Sequence, residues 1–153
     1  MRIDFLKKAL ERLGSETIER LRTTITSDRL RASGKLHDSM YYKIVDTNIE
    51  LFLANYAGAV DVGITPNRKI PKSFVDNIQE WASIKGLNPK RGSMRTMAYA
   101  IAKSISERGI IKRFGYKGSN FIDRAVNNVL GEFDDTLLDA FSKDIEEAIN
   151  KIK

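Results

Sequence analysis

Apolar residues in the first part of the chain recur with the period of a helix. Phe5, Leu6, Ala9, Leu10 and Leu13 are three or four residues apart, and the stripe resumes after Gly14-Ser15 with Ile18, Leu21 and Ile25. This spacing predicts a helical N-terminal region over 2–26 with one face turned inward. Ser15 is not followed by a capping-box residue, so the stripe fits either one kinked helix or two helices. The period is lost between residues 27 and 39, where Ser27-Asp28 and Ser33-Gly34 supply turn chemistry. Two β-like runs follow, 40–45 and 49–53, separated by Asp46-Thr47-Asn48, whose short polar side chains suit a turn. An antiparallel hairpin over about 40–54 is the simplest joining, and Ile49, Leu51 and Leu53 alternate cleanly with Glu50 and Phe52.

From residue 73 to about 130 the pattern is helical again. Ser73 is placed to cap a helix whose inward face is Phe74, Ile78, Trp81 and Ala82, with Asp76 in its first turn and Gly86 as its stop. A second helix is expected from near Ser93 to Gly109, burying Met97, Ala98, Ile101, Ala102 and Ile105. A Gly-rich basic loop at 110–120 then precedes a further helical run carrying Phe121, Ile122, Ala125, Val126 and Val129. Beyond Gly131, the residues Phe133, Leu137, Phe141, Ile145, Ala148 and Ile152 mark a C-terminal helix over about 131–152. In that reading Asp134 and Asp135 stand near its start and Lys151 and Lys153 at its end, the polarity that suits the helix dipole. Such a helix is long for a small core, so it either packs along its own domain or docks on a second subunit. The expected fold class is α+β: a small antiparallel β-sheet flanked by several α-helices, in a single domain over 1–153.

Composition narrows the chemistry. The 153 residues hold no Cys and only 1 His, which removes thiolate zinc sites, redox pairs and cysteine nucleophiles. A hydrophobic share of 42% with 30% charged residues fits a folded chain, and one of this length needs no disulfide or metal to hold a core. The N-terminus meets charge too early for a signal peptide, and no apolar window is long enough to span a membrane. The net charge of +6 is unevenly spread: +4 over 1–45, −1 over 46–85, +7 over 86–124 and −4 over 125–153. Lys90, Arg91, Arg95, Lys103, Arg108, Lys112, Arg113, Lys117 and Arg124 make the basic segment, which either faces a polyanion or pairs with the acidic C-terminal segment of its own fold or of a neighbouring subunit.

No catalytic constellation emerges. His37, Asp38 and Ser39 are sequence neighbours in a polar turn, whereas the members of a catalytic triad come from separate elements, so an exposed His is the expectation there. Arg91-Gly92-Ser93-Met94-Arg95-Thr96 precedes a helix but lacks the lysine signature of a phosphate loop. The run Lys112-Arg113-Phe114-Gly115-Tyr116-Lys117-Gly118 is similar to an RNA-recognition-motif consensus, with basic groups for phosphates and Phe114 and Tyr116 for bases. That consensus requires a central strand, whereas this run joins two helical segments and reads as a loop. Neither a cofactor nor a metal is expected.

Three short segments carry a family resemblance. Ser33-Gly34-Lys35-Leu36-His37-Asp38-Ser39-Met40 resembles the Thr-Gly-x-Leu-Arg-x-Ser-aliphatic turn that leads into the first strand of the neck and tail-completion proteins of tailed bacteriophages. Tyr56-Ala57-Gly58-Ala59-Val60-Asp61-Val62-Gly63 resembles that family's Tyr-Ala-x-x-(Val)-Glu-x-Gly segment. Gly118-Ser119-Asn120-Phe121-Ile122-Asp123-Arg124-Ala125 resembles its closing Pro-Phe-(Leu/Ile)-x-x-Ala motif. The chain departs from the pattern in having Ser33 for Thr, His37 for a basic residue, Asp61 for Glu and Asn120 for Pro, and the stretch from Pro66 to Met97 is longer than in compact members.

The resemblance implies a virion protein without enzymatic activity, assembled in the host bacterial cytoplasm: a homo-oligomeric ring in the neck or tail-completion region that joins head and tail and lines the DNA passage. Its implied partners are copies of itself, other neck, portal-side and tail proteins, and passing DNA through non-specific contact, with no membrane. Ser33, Gly34, Leu36, Ser39, Tyr56, Asp61, Gly63, Phe121 and Ala125 are the structural residues of the matched motifs. Lys112, Arg113, Phe114, Tyr116 and Lys117 are the candidates for a DNA- or partner-facing loop. The acidic C-terminal helix of one subunit meeting the basic segment of the next would give a head-to-tail contact. The rival readings are a free basic nucleic-acid-binding module and a cell-wall hydrolase, the second opposed by the lack of an acid/base pair.

Overall fold

A computed structural model of the chain describes residues 3–30, 33–110 and 118–151. Its elements are α1 (Asp4–Ser27), α2 (Lys35–Asp38), β1 (Tyr41–Val45), β2 (Asn48–Phe52), α3 (Ala57–Asp61), α4 (Lys72–Ile84), α5 (Met94–Arg108) and α6 (Phe121–Asn150). The fold is α+β: mostly helix, with one two-stranded antiparallel sheet and a long C-terminal helix. The chain forms two compact units, one of Met1–Asp28, His37–Ala54 and Phe121–Lys153, the other of Arg29–Leu36 and Asn55–Asn120.

The first unit is built on α1 and α6. Leu10, Leu13, Ile18, Leu21 and Ile25 of α1 are buried, as are Phe121, Ala125, Val129, Phe133 and Ala140 of α6. Pairings run from Phe5 with Asp144, through Leu13 with Val129 and Phe133, to Asp28 with Arg124, so the two helices are antiparallel. The hairpin packs on α1, with Tyr41 opposite Phe52 and Ile44 opposite Ile49. Asp46 takes φ +56° in the two-residue turn, a conformation that the short Asp side chain tolerates.

Gly14 resolves the choice left open at Gly14-Ser15. α1 is one helix across this pair, and Gly14 is a packing notch: a Cβ there would sit 2.5 Å from the Tyr42 ring. The Tyr42 hydroxyl donates to the Glu11 carbonyl oxygen at 3.1 Å, fixing the ring over the helix. Glycine therefore serves close approach here rather than chain reversal.

Several boundaries differ from the sequence reading. α6 begins at Phe121 and runs through Gly131 without a break, so no separate helix starts at 131. Asp134 and Asp135 accordingly lie more than three turns from its N-terminus, too far in for the dipole argument, and Asp123 holds the first-turn position instead. α4 starts one residue before Ser73, with Pro71 as the boundary residue and no side-chain cap; Pro71 supplies the extended entry that Ser73 was expected to provide. His37 lies in the short helix α2 and its side chain is only 25% exposed, with Nδ1 2.8 Å from Asp38 Oδ1, rather than in an open polar turn.

The second unit is centred on α4 and α5. Val75, Ala98 and Ala102 are buried between them, with Ile70, Phe74 and Ile78 alongside. α5 begins near Ser93 as expected; Ser93 caps it, accepting from the Thr96 amide at 3.2 Å, and Gly109 follows its last residue at φ +68°. α4 ends in a Schellman turn: the Gly86 amide donates to the Ser83 carbonyl at 3.1 Å and the Leu87 amide to that of Ala82 at 2.9 Å.

Candidate functional site

The segments that carry the resemblance are held in place by the chain's own hydrogen bonds. In the first of them, Ser33 Oγ accepts from the Lys35 amide at 3.3 Å, Gly34 takes φ +84°, and Leu36 and Met40 are buried. Ser39 Oγ accepts from the Ala54 amide at 3.1 Å, tying the chain just before β1 to the chain just after β2. Arg22 of α1 holds the same entry from the other side, donating to the carbonyl oxygens of His37 at 3.3 Å and Met40 at 3.1 Å.

The second segment and the first residues of the third, 118–120, meet within the second unit. Ser119 donates to the Val60 carbonyl oxygen through both its amide, at 3.4 Å, and its hydroxyl, at 3.0 Å. The Asn120 amide donates to the Asp61 carbonyl oxygen at 2.9 Å. Gly118, at φ +83°, is required by this closeness, because a Cβ there would run into the Asp61 carbonyl. Gly63 takes φ +84°, so Gly34 and Gly63 both occupy the left-handed region that disfavours a side chain. Asn120 takes φ +50°. Proline, fixed near −65°, cannot adopt that conformation, so the Pro-to-Asn departure in the closing motif goes with a different backbone. Phe121 and Ala125 are fully buried in α6, in the first unit.

Tyr56, which precedes α3, belongs to a cluster that sequence reasoning missed. Lys35 Nζ lies 2.6 Å from Glu80 Oε2, a hydrogen bond and ion pair that raise the Lys35 pKa above 10.5. Burial raises the Tyr56 phenol above 10.0, with Lys35 opposing and Glu80 reinforcing. No sequence spacing links residues 35, 56 and 80; the fold alone brings them together.

The basic segment is partly neutralised locally. Arg95 pairs with Asp76 at 3.1 Å, Lys103 with Glu107 at 3.9 Å, and Arg124 with Asp28. Lys85, Lys90 and Arg91 are exposed and form no ion pair among the described residues. Lys112, Arg113, Phe114, Tyr116 and Lys117, the expected DNA- or partner-facing loop, lie outside the described residues. Among the described residues there is no cluster of three or more His, Asp or Glu side chains able to hold a metal ion, and no helix is long and apolar enough to cross a membrane.

No protein-family model, curated protein or solved structure matches the chain.

Proposed function

We propose that the chain is a non-enzymatic structural subunit of a tailed-phage virion, assembled in the bacterial cytoplasm into a neck or tail-completion ring that joins head to tail and lines the DNA passage. The observation that carries this reading is the bonding between Val60-Asp61 and Ser119-Asn120, which joins two of the three family-like segments into one backbone arrangement. Glycine at the left-handed positions 34 and 63 of the first two segments adds support, because those glycines occur in the matched patterns. Deleting the gene from a phage or prophage that carries it is the test. Filled heads and detached tails in electron micrographs are expected; complete virions of normal infectivity would refute the proposal.

A second reading, a basic nucleic-acid-binding module, draws on the stretch from Trp81 to Ser106, which contains five basic residues and no acidic one. It requires duplex DNA to bind an isolated monomer tightly, with an affinity that falls steeply as salt rises.

A further inference from the structure

Two apolar faces, one in each compact unit, are left open to solvent and carry opposite charge. On α6, Leu138, Phe141, Ile145 and Ile149 follow one another at three- and four-residue spacing and are 38–66% exposed. At 100° per residue these positions share one face, turned away from the buried Phe133, Ala140 and Asp144. Asp134 stands one turn before Leu138 on the same face, and Asp135 and Glu146 flank it. From residue 125 to 150 the chain has seven acidic residues and one basic residue.

The other face is the C-terminal corner of α4. Trp81 and Ile84 lie one turn apart, the Schellman turn brings Leu87 back against the end of the helix, and all three are 39–46% exposed. Lys85, Lys90 and Arg91 surround this corner in sequence, and Glu80, one turn before Ile84, is neutralised by its pair with Lys35. A single large apolar residue on a surface is ordinary, but an apolar group bordered by one sign of charge is the composition of an interface.

We propose that these faces are the two halves of one heterologous contact between copies of this chain: the Trp81–Ile84–Leu87 corner of one copy seats on the Leu138–Phe141–Ile145–Ile149 stripe of the next, with Lys85, Lys90 and Arg91 opposite Asp134, Asp135 and Glu146. Charge complementarity selects the occupant. Two acidic stripes facing each other would place like charges together, as would two basic corners, and such juxtaposition works against self-pairing. The proposal deepens the ring reading and depends on it only for closure of the array into a ring.

The test uses two variants of the full chain altered only at exposed positions, a stripe variant (Phe141→Ser with Asp135→Lys and Glu146→Lys) and a corner variant (Trp81→Ser with Lys90→Glu and Arg91→Glu). Far-UV circular dichroism confirms that each is folded, and charge-only versions that retain Phe141 and Trp81 serve if either is not. Sedimentation velocity at low salt, over a hundredfold range of concentration, should show the wild type associating and each variant alone at least about tenfold weaker. An equimolar mixture should recover association, because the intact corner of the stripe variant meets the intact stripe of the corner variant. A wild type that stays monomeric throughout overturns the contact. So does a corner variant that still associates like wild type, since the stripe would then pair with itself, and so does a mixture that yields no dimer. Failure here leaves the gene-deletion phenotype unaffected, and a normal phenotype there leaves this contact standing, so the two proposals fall separately.

Discussion

Asp144 gives the sharpest stability prediction. Its side chain is 1% exposed, and it accepts hydrogen bonds from the Phe5 amide at 3.1 Å and the Leu6 amide at 2.8 Å. These are two of the free amides at the start of α1, whose preceding residue, Ile3, supplies no side-chain cap. A carboxylate from the far end of the chain thus does the work of an N-cap and places negative charge at the positive end of the helix. Hydrogen bonds to a charged group contribute about 1.5–3 kcal/mol each. Water can reach this end of the helix once the carboxylate is gone, since Phe5 is itself exposed, and removing a buried charge recovers its desolvation cost. The net loss for Asp144→Ala is therefore about 2–3 kcal/mol. Asp144→Asn keeps one acceptor but turns an amide N–H₂ toward the second donor and removes the charge, for a loss of about 1–2 kcal/mol. Urea denaturation followed by far-UV circular dichroism reads the loss, which corresponds to a Tm decrease of about 4–12 °C for Asp144→Ala. Hydrogen exchange at the Phe5 and Leu6 amides should accelerate in the same variant. Both variants staying within about 0.5 kcal/mol of wild type, with those two amides still protected, would show that the carboxylate does not cap α1.

Three further outcomes follow from the packing. Gly14→Ala should destabilise by about 1–3 kcal/mol because its methyl group meets the Tyr42 ring, and adding Tyr42→Ala should uncover the roughly 0.5–1 kcal/mol gain that Ala normally gives over Gly in a helix; a stabilising single variant would contradict the notch. Gly118→Ala combines a left-handed φ with collision against the Asp61 carbonyl, so hydrogen exchange of the Asn120 amide should rise well above wild type, whereas unchanged protection would mean that the two segments do not meet there. Lys35 and Tyr56 both have raised pKa values, so in each case the unfolded chain loses its proton first as pH rises. Stability contributed by both is present below about pH 10 and declines above the ordinary values of 10.0 and 10.5. Ultraviolet titration should show a late-ionising phase that Tyr56→Phe removes, and loss of the Tyr56 amplitude from the ordinary phase near pH 10 instead would dispose of the cluster.

Legibility in the sequence followed the range of the interactions. α1 was readable because Leu10, Leu13, Ile18, Leu21 and Ile25 declare a period, and α5 because its ends carry their own chemistry in Ser93 and Gly109. The hairpin was readable from Ile49 and Leu51 beside a short polar turn. Gly131 misled because glycine lowers helix propensity by about 1 kcal/mol, less than the packing of Val129 and Phe133 on α1 returns, so α6 continues through it. Gly14 was ambiguous for a related reason: a notch and a break look alike until the Tyr42 ring, 28 positions away in the sequence, is placed.

Charge posed a harder problem, because segment sums do not say which groups are already partnered. The summed +7 over 86–124 includes Arg95, Lys103 and Arg124, each held by a carboxylate close at hand, and the −4 over 125–153 includes Asp144, buried as a cap. Among the charges left in the two sums, Lys90 and Arg91, with the neighbouring Lys85, lie near Trp81 and Ile84 in sequence, and Asp134, Asp135 and Glu146 lie around Phe141 and Ile145. Charge beside exposed apolar surface marks a contact better than charge alone, since the apolar part supplies the affinity and the charge selects the partner and the orientation. On that reasoning, charge reversal at Asp135 and Glu146 weakens association most at low salt, whereas Phe141→Ser weakens it at every ionic strength.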